Sequence, residues 1–245
     1  MRTKSGKNMK TDIFRQKDFI IRNIVRICLQ MSRSADKMQK RWIFFDLGNT
    51  LYDESAADAE RIKRLLASNR YPVTEADFTA QMRCGAANFA PSPFTYAREQ
   101  FGIAESVPYD PNKEILFAGT AQMLEKLAAE YRLGILANQP ADTRRRLLRD
   151  GILRFFQICL LSDAEGYAKP DPAFFAFACQ KADCPPQEII MIGDRLENDI
   201  APAQQTGMQT VWMRQGLHAV QKPQKIAIFP DHTVHSVQEL CGLLE

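Results

Sequence analysis

The chain has 245 residues, 45% of them apolar and 25% charged, a balance that excludes a disordered polymer and suffices for one core domain with an insertion. Its formal charge of +3 is unevenly held: residues 1–41 carry 12 Lys/Arg against 3 Asp/Glu, and the rest carry 20 against 26. The body is acidic, which speaks against a nucleic-acid partner, since a binding domain carries its positive charge on a folded face.

The basic extension, residues 1–41, contains the apolar stretch Phe19 to Leu29, but Arg22 and Arg26 interrupt it, so it lacks the core of a secretory signal. An amphipathic presequence or surface helix stays open; the simpler expectation is a dispensable arm, or a start at Met38. The longest uncharged run is fourteen residues, short of the roughly 18 to 20 a membrane span needs. The six cysteines (Cys28, Cys84, Cys159, Cys179, Cys184, Cys241) form no Cys-x-x-Cys pair and read as reduced, buried thiols of a cytoplasmic protein.

From Trp42 onward, short apolar runs alternate with helical patterns, as in βαβ units. The first strand is expected at residues 42–46. Residues 52–109 break the alternation, show helical patterns and no good strand, and read as a helical insertion standing over the carboxyl end of the sheet. Asp110-Pro111 then looks like the start of a helix, capped by the aspartate, with an apolar stripe through Ile115, Leu116, Gly119, Met123, Leu124, Leu127 and Ala128. Strands follow at 132–137, 157–161, 188–193 and 209–213. Each is continuously apolar, as expected for a parallel sheet covered on both faces. Asp171-Pro172 caps a further helix, Gly207 ends another, and Arg144 to Asp150 reads as a charged helix surface. The fold class is thus α/β, with 42–51 and 110–245 as the core.

The carboxyl ends of these strands carry the chemistry. Asp46 follows the first, Asn138 the second, a loop ending at Lys169 the third, and Asp194 with Asp199 the fourth. Loops on one edge of a parallel sheet converge. Three carboxylates brought together repel one another and call for a cation. Mg²⁺, hard and oxygen-seeking, suits them, and an aspartate beside Mg²⁺ and a lysine suits attack on a phosphoryl group.

Four segments, "DLGNT" (46–50), "ILAN" (135–138), "GYAKPDP" (166–172) and "IGDRLENDI" (192–200), resemble in order and spacing the motifs of the haloacid dehalogenase-like (HAD) hydrolase superfamily. The resemblance implies a Rossmann-like core with a helical cap at 52–109, and a phosphatase of a small phosphorylated metabolite. Asp46 would be the nucleophile. Asp46, the Gly48 carbonyl and Asp194 would hold Mg²⁺, with Asp199 orienting Lys169 or a metal-bound water. Lys169 would neutralise the nucleophile, and Asn138 would hold the phosphoryl group through its backbone or amide N–H.

Two positions depart from the pattern. Gly48 replaces an aspartate that family phosphatases use as general acid and base, a role worth about 10²–10⁴ in rate. Ala137 replaces a hydroxyl residue that donates to the phosphoryl group, at a cost of about 2–4 kcal/mol. Three readings follow: a phosphatase whose leaving group needs little protonation or whose cap supplies an acid, a dehalogenase, or a noncatalytic binder of phosphorylated ligands. The retained Asp194 and Asp199, and the absence of an arginine between Asp46 and Arg61, favour the first over the second. His232 and His235 are read as flanking a short C-terminal strand, the cap aromatics as its own core, and Arg83 and Arg98 as solvated or facing a distal anionic group. Oligomeric state is not legible.

Overall fold

Among the described residues, eight strands run in chain order as β1 (Trp42–Phe45), β2 (Tyr52–Asp53), β3 (Ile115–Leu116), β4 (Arg132–Ala137), β5 (Phe156–Leu161), β6 (Ile189–Gly193), β7 (Gln209–Met213) and β8 (His232–Val234). The computed structural model describes residues 42–67 and 70–244; the basic arm and Cys28 lie outside the described residues. Six strands form one sheet in the order β5-β4-β1-β6-β7-β8, every pairing parallel.

The chain leaves β1 toward β4 and β5 on one side, then returns past it to build β6, β7 and β8 on the other. The end of β1 therefore lies where the strand order reverses, the crevice in which open α/β sheets bind ligands. Both faces are covered. Ile43 and Phe45 point into a core with Leu124, Leu127, Ile135, Ile192 and Leu240, while Trp42 and Phe44 point into one with Leu136, Phe174, Phe175 and Met191. This double burial explains the unbroken apolar runs. Phe44 is fully buried, and its truncation to alanine would cost about 3–5 kcal/mol.

Between β2 and β3 lie α1 (Ser55–Leu66), α2 (Glu75–Ala87) and α3 (Pro93–Gln100). Thr74 and Asp77 form a reciprocal capping box at the start of α2, and Ser92 caps α3 with Pro93 in its first turn. Ile62, Leu65, Phe78, Met82, Phe94, Ala97 and Ile103 give these helices a core of their own. Phe94 and Phe101 belong to it, whereas Phe89 packs instead against Leu196, Ile200 and Trp212.

Several expectations are corrected. The interval 52–109 begins with a strand: Tyr52–Asp53 pairs antiparallel with Ile115–Leu116. The stripe expected as one helix is accordingly divided. Pro111–Lys113 is a single 3-10 turn and the helix proper is Thr120–Ala128, begun after Gly119 at φ +87°, a left-handed value that ends any helical run before it. Ile115 is 64% exposed and belongs to no buried stripe. Arg146, expected on a charged surface, is buried and ion-paired with buried Glu114. Cys84 is exposed, Cys159 and Cys184 are buried, and Cys179 and Cys241 are partly buried. No helix among the described residues is long and apolar enough to cross a membrane.

Candidate active site

Asp46 leaves the sheet only after its N–H has donated to the Ile192 carbonyl at 2.9 Å. The chain then turns tightly, and the N–H groups of Thr50, Leu51 and Tyr52 all donate to the Leu47 carbonyl at 3.3, 2.9 and 3.0 Å. Asn49 takes φ +49°, a conformation that asparagine tolerates better than most residues. The Asp46 side chain is 14% exposed, against 0% for Lys169 and 1% for Asp199. Of the groups in this cluster it is the one offered to the cleft.

Lys169 Nζ donates to Asp46 Oδ1 at 2.6 Å and to Asp199 Oδ1 at 2.5 Å. The second oxygen of Asp199 accepts the Arg195 N–H at 3.0 Å. Asp199 sits in a π-helical turn, Leu196–Ile200, a rare wide turn that often marks functional sites. Gly193 makes room for it: a Cβ there would lie 2.4 Å from Asp199 Cγ. Asn138 grips the main chain of Lys169. Its Nδ2 donates to the Lys169 carbonyl at 2.7 Å and its Oδ1 accepts the Lys169 N–H at 2.8 Å. The amide side chain thus holds the main chain of Lys169 through both of its polar atoms. Ala137, at the end of β4, is fully buried.

Asp194 brings the third carboxylate. Its carbonyl accepts Trp212 Nε1–H at 2.8 Å, and its Oδ2 lies 2.8 Å from Nδ1 of buried His218. Ligand atoms of Asp46, Asp194 and Asp199 all lie within 4.8 Å of one another. Burial pushes the Asp46 carboxyl up, against the opposing pull of Lys169. Burial, followed by the Asp46 and Asp199 charges, pushes Asp194 well above the usual carboxylate range. Burial alone would lower the Lys169 ammonium, but Asp199 and Asp46 raise it, so it stays charged. Three carboxylates facing one ammonium leave an excess of negative charge, and an all-oxygen donor set of this kind fits a hard divalent cation.

Glu54, His218 and Asp58 carry no motif signal in the sequence. Glu54 follows β2 and precedes α1; its Oε2 accepts Asn49 Nδ2 at 2.7 Å. Burial, then the Glu114, Asp194, Asp58 and Asp46 carboxylates, push Glu54 well above the ordinary range. Burial pushes His218 down to about 4, with Arg195 next in effect, so its imidazole is neutral near pH 7. Burial likewise pushes Asp58 up to about 6, against Arg61 and His218. Asp58 lines a cavity of about 270 Å³ with Asn49, Ile62, Met82, Arg83 and Leu217. Arg98 turns inward, its Nη2 donating to the Ile103 and Ala104 carbonyls at 3.3 and 2.6 Å. His235 lies 3.2 Å from Glu239 on the surface, and His232 is exposed in β8.

A model of the haloacid dehalogenase-like hydrolases matches residues 40–207, more than half the chain. The chain belongs to this family. It is 30% identical over 199 residues to a glyceraldehyde 3-phosphate phosphatase of Pyrococcus abyssi, with 71% of this chain and 81% of the relative covered. It is also 27% identical over 228 residues to the pyrimidine 5'-nucleotidase YjjG of Escherichia coli, covering 84% and 99% of the two chains. Among solved structures, the magnesium-bound putative HAD-hydrolase YfnB of Bacillus subtilis superposes with a TM-score of 0.60 at 21% identity, covering 84% of this chain and 98% of that one. That last likeness concerns the fold: a parallel HAD-type sheet flanked by helices.

Proposed function

We propose that this HAD-like hydrolase is a Mg²⁺-dependent phosphatase of a small phosphorylated metabolite, acting through an aspartyl-phosphate on Asp46. The observation that carries the reading is the Lys169 bridge: one buried ammonium bonded to both Asp46 and Asp199, beside a third carboxylate on Asp194. Lys169 keeps Asp46 ionised and aimed, and it offsets charge on the phosphoryl oxygens as they are transferred. Asp199 holds the ammonium in place, and Asn138 holds the main chain that carries it.

Asp46 and Asp194, with the Gly48 carbonyl, would hold Mg²⁺, which when bound neutralises the phosphoryl oxygens and draws the substrate into line with Asp46. His218 fixes the Asp194 carboxylate, the role that partners of metal ligands commonly play. The helices α1 to α3 act as the cap. The cavity between them and the Asn49 loop, about 270 Å³, suits a compact metabolite, and the phosphatase names of the relatives agree with a phosphoryl substrate. Carbon–halogen cleavage needs no metal on phosphoryl oxygens, so the acidic cluster of Asp46, Asp194 and Asp199 favours the phosphatase over a dehalogenase.

The test is phosphate release from a panel of sugar, nucleotide and small organic phosphates, with and without Mg²⁺. Mg²⁺-dependent release that disappears in Asp46→Asn is the expected result. Release that persists in Asp46→Asn, or that ignores Mg²⁺, would contradict the reading.

A further inference from the structure

Gly48 is the sharpest departure from the family pattern, and its surroundings give it a physical reason. Its φ is not among the positive values of the described glycines, so backbone conformation does not require glycine. A neighbour does. A Cβ on Gly48 would lie 2.2 Å from Glu54 Oε1, 2.7 Å from its Cδ and 3.2 Å from its Oε2. In this arrangement the Glu54 carboxylate fills the volume where a side chain at 48 would begin, and a residue with a Cβ there would have to displace it.

Glu54 is held in this position from two directions. Gly48 bridges Tyr52, and Tyr52–Asp53 pairs with β3, so the chain folds back over the nucleophile loop just before Glu54. Asn49, itself buried, donates its Nδ2 to Glu54 Oε2 at 2.7 Å. The main chain of Asn49 is fixed in turn, because Gln215 Nε2 donates to its carbonyl at 3.0 Å. Oε1 is thereby left as the oxygen nearest Gly48.

We propose that Glu54 is the general acid and base of this active site, supplying from the start of α1 the carboxyl group that position 48 lacks. The proposal rests on the phosphatase reading above. In the first step an Asp46 oxygen bonds to phosphorus and the bond from phosphorus to the leaving oxygen breaks. Glu54 passes its proton to that oxygen, which departs as an alcohol. In the second step a water oxygen bonds to phosphorus, its proton goes to the Glu54 carboxylate, and the bond from phosphorus to Asp46 breaks. Phosphate leaves, and both side chains return to their starting states.

The experiment measures phosphate release by the full chain at saturating Mg²⁺ from monoesters whose alcohols range from dinitrophenol to simple alkanols. Glu54→Gln should lose about 10²-fold or more on alkyl esters and less than about fivefold on dinitrophenyl phosphate, because a good leaving group needs no proton. An equal loss across the series, no loss at all, or a weakened Mg²⁺ requirement as the only change would overturn the proposal. If Glu54→Gln does not fold, Gly48→Asp combined with Glu54→Ala decides. At least tenfold more alkyl-ester activity than Glu54→Ala alone supports a carboxyl function at this spot, and no gain overturns it. If the unaltered chain releases phosphate from no ester, the phosphatase reading itself falls and takes this role with it.

Discussion

The Asn138 side chain grips Lys169 by both main-chain groups, donating to its carbonyl at 2.7 Å and accepting its N–H at 2.8 Å. Through this pair of bonds the end of β4 sets where the Lys169 ammonium can reach. Asn138→Ala removes both, at about 0.5–1.5 kcal/mol each, and should lower kcat about 10- to 100-fold with a smaller change in KM. Steady-state phosphate release checks this. A change confined to KM would show that Asn138 acts on substrate binding instead.

Lys169 is fully buried between two carboxylates. Lys169→Met strips the compensating charge from Asp46 and Asp199 and should destabilise the protein by about 3–5 kcal/mol at neutral pH, as removing one partner of a buried pair does. Without the ammonium the Asp46 carboxyl, already raised by burial, rises further above its unfolded value. A raised carboxyl contributes stability that is present at low pH and lost as pH rises through the folded value. The deficit relative to the parent chain should therefore shrink from pH 8 to pH 5 in urea titrations.

The same sign governs Mg²⁺. Asp46 and Asp194 are raised in the metal-free protein, so ionising them opposes folding, and a bound cation relieves that. Melting temperature should climb with Mg²⁺ concentration, corresponding to about 2.7 kcal/mol at a hundred times Kd, and the gain should be larger at pH 8 than at pH 5. Calorimetry with and without chelator reads this directly; the absence of any shift would speak against a metal on these carboxylates.

Asp58, pushed up to about 6 by burial, lines the cavity beside the nucleophile loop. Its folded value lies above the unfolded one, so its ionisation costs stability as pH rises through about 6. Asp58→Asn should stabilise the chain by on the order of 1–3 kcal/mol at pH 8 and have little effect at pH 4, as measured by chemical denaturation.

The strands and the ends that carry chemistry were legible because burial on both sheet faces leaves unbroken apolar runs, and polar residues can appear only where a run stops. Asp46, Asn138 and Asp194 stand at such stops, and Lys169 and Asp199 lie in the segments that follow β5 and β6. Glu54 was hidden because its place over Gly48 depends on the two-residue pairing of β2 with β3, too short to leave a periodic signal. That pairing also divided the helix expected from Asp110. Arg146 lay unseen in a run of arginines, since its burial against Glu114 is a tertiary event that local charge pattern cannot report. His218 belongs to a short 3-10 turn after β7, Leu217–Val220, with no motif around it.

Phosphoryl transfer to Asp46 is read by mixing the protein with radiolabelled acetyl phosphate and Mg²⁺, quenching in acid and counting protein-bound label. The expected result is label that hydroxylamine releases and that is absent from Asp46→Asn and from chelator-treated protein. Phosphate release without labelled protein, or label that survives in Asp46→Asn, would contradict it.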